Sequence, residues 1–353
     1  MNSRERVIAA LNAEMPERVP FVIWNNKLPG GDIDSQLFEL GVCIVNKSTV
    51  YNLEYSGIEI QIKQLSPIDS LERRRKIFKT PAGEIATIER IVPGSIWLEK
   101  MPFGGPGDYD TLEELIKGKV YKPCFEKFLA DDTMYPGQSL ARPQTIYTPI
   151  QDLICIYMGV ENFCIEWADR PERVLKLCEV IAADRQKRLE IVARSPARFV
   201  IIEGNVVPEV TGPERFRKYH VPYIEQACEM LHQSGKLAGA HFDGNNRVLA
   251  EEIGRTSLDL IESFTPEPDC NLPLAEARQL WPEKTIQINF PSSVHLYGKQ
   301  KVKEVARYIL KQAAPGNRFI VGISEDISGG GIDTLVPLAE AILKYGRLPI
   351  SAG

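Results

Sequence analysis

Short apolar strands alternating with amphipathic helices predict an α/β protein built as a (β/α)8 TIM barrel. Two observations carry that expectation. The strand-helix unit recurs through the second half of the chain, which implies a parallel sheet with right-handed crossovers. In addition, residues 199–203, 236–241, 258–262, 285–289 and 318–325 each run from an apolar body to a polar or ionisable end, at Glu203, His241, Glu262, Asn289 and Glu325. In such a barrel the strand bodies fill the core, and the residues at the carboxyl ends face one cavity and carry the chemistry.

The elements follow in order. Residues 171–194 set Val174, Leu177, Cys178 and Ile181 on one helical face, with Asp169 and Glu172 as a capping box. After strand 199–203, Thr211 and Glu214 form a second box with Pro213 in the first turn, opening a helix that runs to about His232. Strand 236–241, helix 246–254, strand 258–262, helix 274–281 and strand 285–289 come next. Val302, Val305, Ala306 and Ile309 then line a helix, 318–323 is the last strand, and Leu335, Leu338, Ala339 and Ile342 face inward from a helix ending at Gly346. Working backwards, residues 19–24, 42–47 and 145–148 supply three more strands and bring the barrel to eight. Residues 51–140 break the pattern. Segments 58–65 and 85–98 read as antiparallel strands and Gly104-Gly105-Pro106-Gly107 as a loop, so this stretch is expected to be an insertion packed near the barrel mouth of a single domain spanning 1–353.

Composition narrows the function. With 353 residues, 44% hydrophobic and 25% charged, the chain can bury a large core. Its net charge of -5, with Lys and Arg dispersed among acids, offers no basic face to a phosphate backbone, so no nucleic acid partner is expected. No leader-like start and no run of about 18 apolar residues is present, which points to a cytoplasmic protein with no membrane partner. The seven cysteines form no CxxC pair and sit mostly in apolar stretches, with Cys270 in a polar loop as the exception.

The segment Ala240-His241-Phe242-Asp243-Gly244, followed by Leu260-Ile261-Glu262-Ser263, has the residue types of a metal site. Glu203 could serve as a further ligand or as a proton donor. Asn245 and Asn289 are candidate hydrogen-bonding groups for a ligand, and Trp24 and Tyr147 could frame an aromatic pocket, with Asn25 in the loop that follows Trp24. Gly329-Gly330-Gly331 lies where some barrels cradle phosphate but lacks a phosphate motif, and His220, His232 and His295 read as structural or exposed. No hydrolase elbow, P-loop or dinucleotide fingerprint occurs.

Over nearly its whole length the chain resembles the uroporphyrinogen decarboxylase superfamily. The resemblance rests on Arg4-Glu5-Arg6-Val7-Ile8-Ala9-Ala10-Leu11, Pro16-Glu17-Arg18-Val19-Pro20, the helix start Asp169-Arg170-Pro171-Glu172 and the His241 segment. Decarboxylases of this group carry arginines after the first strand that bind substrate carboxylates. Here that strand runs into Trp24-Asn25-Asn26-Lys27-Leu28-Pro29-Gly30-Gly31, with no arginine between Arg18 and Arg73. Burying the carboxylates of a tetrapyrrole without cations is costly, so the resemblance points away from true uroporphyrinogen decarboxylation.

The same superfamily contains methyltransferases that work with corrinoid proteins. Those resembling the methylcobamide:coenzyme M enzymes have His-x-Cys-Gly at the fifth strand and a cysteine after the eighth, all zinc ligands. Here Asp243 and Glu325 stand at those places, in His241-Phe242-Asp243-Gly244 and Ser324-Glu325-Asp326-Ile327. The cobalamin-independent methionine synthases, similar in barrel and chemistry, end a strand in Ile-Glu-Asn with the glutamate near or on zinc, and Ile261-Glu262-Ser263 matches that segment. The resemblance thus implies a Zn2+ site made by His241, Glu262, Glu325 and Asp243, with Asp243 either a ligand or a support for His241. Carboxylate in place of thiolate makes a harder Lewis acid, suited to an ether oxygen. The expected activity is transfer of a methyl group from a small methylated substrate, an aryl methyl ether first, to cob(I)alamin. This chain has no DxHxxG cobalamin signature, so the cobalamin would come on a separate corrinoid protein. Glu203, Asp243 and Asn289 are the catalytic candidates. Trp24, Asn25, Tyr147 and Asn245 are the substrate-binding candidates. The alternatives are a metal-free decarboxylase acting on a tetrapyrrole and a noncatalytic adaptor for a corrinoid protein.

Overall fold

The computed structural model describes residues 1–351 apart from 93–94 and 328–330. Eight parallel strands share one sheet: β1 (Phe21–Trp24), β2 (Cys43–Ser48), β3 (Ser139–Pro143), β4 (Phe199–Gly204), β5 (Leu237–His241), β6 (Leu260–Phe264), β7 (Thr285–Asn289) and β8 (Phe319–Ile323). They pair in the order β4-β5-β6-β7-β8-β1-β2-β3, and β3 comes back beside β4, so the sheet is a nearly closed (β/α)8 barrel. The strand bodies are runs of buried Val, Ile, Leu and Phe, as a sheet covered on both faces requires. Val22, Trp24, Cys43, Val45, Leu140, Phe199, Ile201, Leu260 and Ile320 form one interior cluster. Val7, Ala10 and Leu11 of the first helix (Ser3–Leu11) complete it. That helix starts at a capping box: the Asn2 side chain accepts from Glu5 N at 2.9 Å, and the Glu5 carboxylate accepts from Asn2 N at 2.9 Å. Gly239 in β5 is needed for packing, since a Cβ there would lie 2.8 Å from Ile201 Cδ1 and 3.1 Å from the Leu260 carbonyl.

Several local expectations need correction. The third strand is Ser139–Pro143, in register with residues 44–48, and not 145–148. The later segment instead leads into the helix Pro149–Asp152, which takes Pro149 at its first position. Asp169 does not cap Pro171–Arg194, because it closes the preceding helix Gly159–Asp169. The helix expected from Thr211 to His232 starts earlier, at Pro208, kinks at Gly212 (φ 66°), and ends at Tyr219, with His220 between it and a separate helix, Val221–Gln233. Pro222 in that second helix's first turn has no N–H to continue the first. Residues 246–255 form a 3-10 turn, Asn246–Leu249, followed by the helix Ala250–Arg255. Of the triple glycine, Gly329 and Gly330 lie outside the described residues, and Gly331 opens a 3-10 turn.

The chain divides into two compact units. The first comprises Met1–Val50, Phe125–Thr145 and Val192–Gly353 and holds all eight barrel strands. The second comprises Tyr51–Cys124 and Ile146–Ile191. It contains a four-stranded antiparallel sheet, in sequence order, of Glu59–Ile68, Leu71–Thr80, Gly83–Val92 and Ser95–Lys100. A two-stranded ribbon, Tyr51–Tyr55 with Lys119–Pro123, lies in the same unit. The span 85–98, read from sequence as one strand, belongs to two. Among the described residues no helix is long and apolar enough to cross a membrane.

Candidate active site

The parallel register of β5 and β6 sets His241 directly beside Glu262. Beyond that pair β6 is irregular: its register with β7 slips between Ile261 and Phe264, and Ser263 takes φ 59°. A non-glycine residue in that region costs about 1–3 kcal/mol and persists only where its surroundings hold it. Here the Ser263 hydroxyl donates to Ser324 Oγ at 2.9 Å. On the neighbouring strand Asn289 Oδ1 accepts from Ser324 N at 2.9 Å, from Ser324 Oγ at 3.0 Å and from Glu325 N at 3.3 Å. The end of β7 therefore fixes the backbone that carries Glu325.

His241 is buried and held at both nitrogens. Nδ1 lies 3.1 Å from Glu262 Oε2, and Nε2 lies 3.3 Å from Asp243 Oδ2. Glu262 is in turn gripped by Arg142, whose Nη2 donates to Oε2 at 3.0 Å and whose Nε sits 2.8 Å from Oε1. Both side chains of that pair are 1% exposed. Burial alone would raise the Glu262 carboxyl, but Arg142 first, then His241 and Lys47, hold it below its ordinary range. Burial likewise opposes charge on His241, yet the Asp243 and Glu262 carboxylates outweigh it and raise the imidazole to about 9. Asp243 is lowered, because its bond to His241 more than offsets partial burial. Glu325 is raised by burial and by the neighbouring Asp243.

Trp24 forms the base of this cluster. Lys47 Nζ stands 3.3 Å above its ring centroid, the Arg142 guanidinium lies 5.4 Å away, and the His241 ring is 5.6 Å away at 34°. Lys47 keeps a solvent-exposed surface, but removal of its ammonium from water, and after that the adjacent Arg142, push it down to about 7, against the pull of Glu262.

The donor set fits a metal. Ligand atoms of His241, Asp243 and Glu325 lie within 4.8 Å of one another, and one nitrogen with two carboxylate oxygens is a set zinc accepts while keeping a position open. Glu262, expected as a ligand, is turned to Arg142 and to the far nitrogen of His241. A carboxylate there fixes the ring and its tautomer. Glu203 is fully buried: Oε1 accepts from Gly204 N at 3.0 Å and Oε2 lies 3.0 Å from His220 Nδ1. The break between helices at His220 is what brings that histidine to it. Asn289, expected as a catalytic or substrate-binding group, uses its oxygen on the Ser324 and Glu325 backbone. Asn245 is engaged at 3.2 Å by Asn271 N and donates to Glu209 at 3.2 Å. Asn25 is exposed in the 3-10 turn after β1. Tyr147 belongs to the second unit, where its carbonyl accepts from Arg185 Nε at 3.0 Å. Cys270 Sγ donates to the Asp243 carbonyl at 3.1 Å, and burial followed by surrounding acids raises its thiol to about 11. Beside Glu325 a pocket of about 140 Å³ is walled by Leu28, Ile323, Ile327 and Ile332, with Lys27 and Asp326 at its polar side.

The sequence reading missed Arg142 and Lys47. Both sit at carboxyl ends of barrel strands, Lys47 on β2 and Arg142 on β3. Arg142 was hidden because the third strand was expected at 145–148, whereas Lys47 already ended the expected strand 42–47 and was passed over.

The family described as uroporphyrinogen decarboxylase (URO-D) matches residues 150–331 of the chain, just over half its length. No curated protein matches it.

Proposed function

The chain belongs to the uroporphyrinogen decarboxylase family, and from that premise we propose that it is a zinc-dependent methyltransferase. Its methyl donor is a small methyl ether, an aryl ether first, and its acceptor is the cob(I)alamin of a separate corrinoid protein. The observation that carries the reading is the convergence of His241, Asp243 and Glu325, with the imidazole held at Nδ1 by Glu262 and that carboxylate held in turn by Arg142.

A metal held there supplies Lewis acidity toward the ether oxygen. A corrinoid brought by its partner protein would supply the nucleophile for the methyl group, the ether oxygen keeping the bonding pair as phenolate. The protein's own residues prepare that exchange. Glu262 accepts a hydrogen bond from His241 Nδ1, so that Nε2, once a metal displaces its proton, would be the ligating nitrogen. Arg142 keeps Glu262 ionised in a buried place where a lone carboxylate would protonate. Asn289 holds the Glu325 backbone in position. Lys47, near 7, can take up or release a proton at neutral pH beside Trp24. The pocket of about 140 Å³ next to Glu325 has one side of Leu28, Ile323, Ile327 and Ile332 and one of Asn26, Lys27, Glu325 and Asp326, a lining that offers apolar contact beside polar groups.

The test is metal content, measured by elemental analysis on protein purified without chelator. Expected is about one zinc per chain, lost in H241A, D243N and E325Q, and in E262Q an affinity about 10–100-fold weaker. Methyl transfer from methoxylated aromatics to a cob(I)alamin protein should follow zinc content. Protein that takes up no zinc when it is resupplied would remove the reading. A second reading, a metal-free decarboxylase, draws on the cations Lys47 and Arg142 at the barrel mouth, and predicts carbon dioxide release from a tetrapyrrole, indifferent to chelator.

A further inference from the structure

The strand Glu59–Ile68 is an edge of the four-stranded sheet in the second unit. It is ten residues long and, among the described residues, pairs on one side, with Leu71–Thr80. Ile60 and Ile62 project from one face, 36% and 54% exposed. On the other face Glu59 reaches Lys79 at 3.2 Å, and Lys63 makes no ion pair among the described residues. Proteins avoid edges of this kind, shortening them or placing charge and proline along them, because unpaired N–H and C=O groups recruit further strands. Here the one proline, Pro67, sits near the end of the strand. The opposite edge, Ser95–Lys100, has six residues, and its Trp97 lies against Arg90 at 5.8 Å.

We infer that this edge is a self-association surface, at which Glu59–Ile68 of one copy pairs antiparallel with the same strand of a second copy about a two-fold axis at Gln61. The sequence is self-complementary in that register. Ile60 falls opposite Ile62 of the second copy, and Glu59 falls opposite Lys63 of the second copy. By symmetry each match occurs twice. Directly opposed side chains stand about 4.5–5.5 Å apart at Cβ, so the isoleucines join in one apolar strip and the charges meet. Pairing residues 58–64 adds about six main-chain hydrogen bonds, and the two four-stranded sheets become one. Moving the axis to Ile62 would set Ile60 against Gln64 and Gln61 against Lys63, losing both matches. The isoleucines and the main chain hold the pair, and the charges choose its register.

The experiment is sedimentation equilibrium on the full chain, with four variants. The wild type is expected to form a concentration-dependent dimer. I62K, at an exposed position the fold does not need, weakens it at least about tenfold. K63E does the same by placing two glutamates face to face, and the double variant E59K/K63E restores the dimer to within about threefold of wild type. I96K on the opposite edge leaves the dimer intact. A wild type monomeric up to about 100 μM would overturn the inference. So would a dimer indifferent to I62K and K63E, one broken by I96K, or a double variant no better than K63E alone.

Discussion

Two buried polar clusters, one in each unit, are built from the same materials and end differently. In the second unit Arg188 Nη2 donates to Asp152 Oδ2 at 2.7 Å and its Nε lies 3.3 Å from Asp184 Oδ2, while the Tyr121 hydroxyl sits 2.9 Å from both Asp184 oxygens. Both carboxylates are almost wholly buried and the network closes on itself. In the barrel the line from Arg142 through Glu262 and His241 ends at Asp243, a third of whose side chain is exposed. The electrostatics diverge accordingly. Burial raises Asp152 in spite of Arg188, whereas Arg142 and His241 lower Glu262 in spite of burial. Isolating an ion from water costs several kcal/mol unless partners answer it, so a network with an open, carboxylate-lined end is organised toward something that arrives from outside. The closed network is organised toward the fold.

The largest expected effect separates these two roles. R142M and R188M each remove the cation from a buried pair, and each should destabilise the protein by about 3–5 kcal/mol, seen as an earlier denaturant midpoint. Only R142M should also lose zinc, because without its cation Glu262 protonates and releases the His241 ring. Equal zinc in the two variants would erase the distinction. A smaller effect comes from Y121F, which leaves Asp184 with one partner fewer and should cost about 1–3 kcal/mol at unchanged metal content.

Legibility in the sequence followed the same divide. His241, Asp243 and Glu325 were readable because a parallel strand ends where its apolar run ends, and a polar residue there has one place to go. The direction in which Glu262 faces was not readable, since the spacing from His241 gives strand register but not which ring nitrogen is met. Arg142 was hidden by a misplaced third strand. The strand Ser139–Pro143 has five residues, and its end is fixed by pairing with β2 rather than by any periodicity of its own. The second cluster left no trace at all. Tyr121 and Asp184 are 63 residues apart, on a ribbon strand and a long helix, and nothing in either segment announces the other.

Lys47 offers the finest probe, because it is the cation at the open end that burial has not fully paired. Its pKa falls from the ordinary 10.5 to about 7, so between those values the folded protein binds fewer protons than the unfolded chain and stability climbs with pH. Below pH 7 both states hold the charged lysine and the folded state bears the whole penalty of withdrawing it from water beside Arg142. Above about 10.5 neither is charged and the penalty is gone. K47M keeps a long apolar stem over Trp24 and abolishes the charge. Its melting temperature should therefore exceed that of the wild type most clearly near pH 6, with the difference closing as the pH approaches 10. A difference independent of pH would mean that the methionine acts by packing alone, and that the ammonium above Trp24 is as well solvated in the fold as in the unfolded chain.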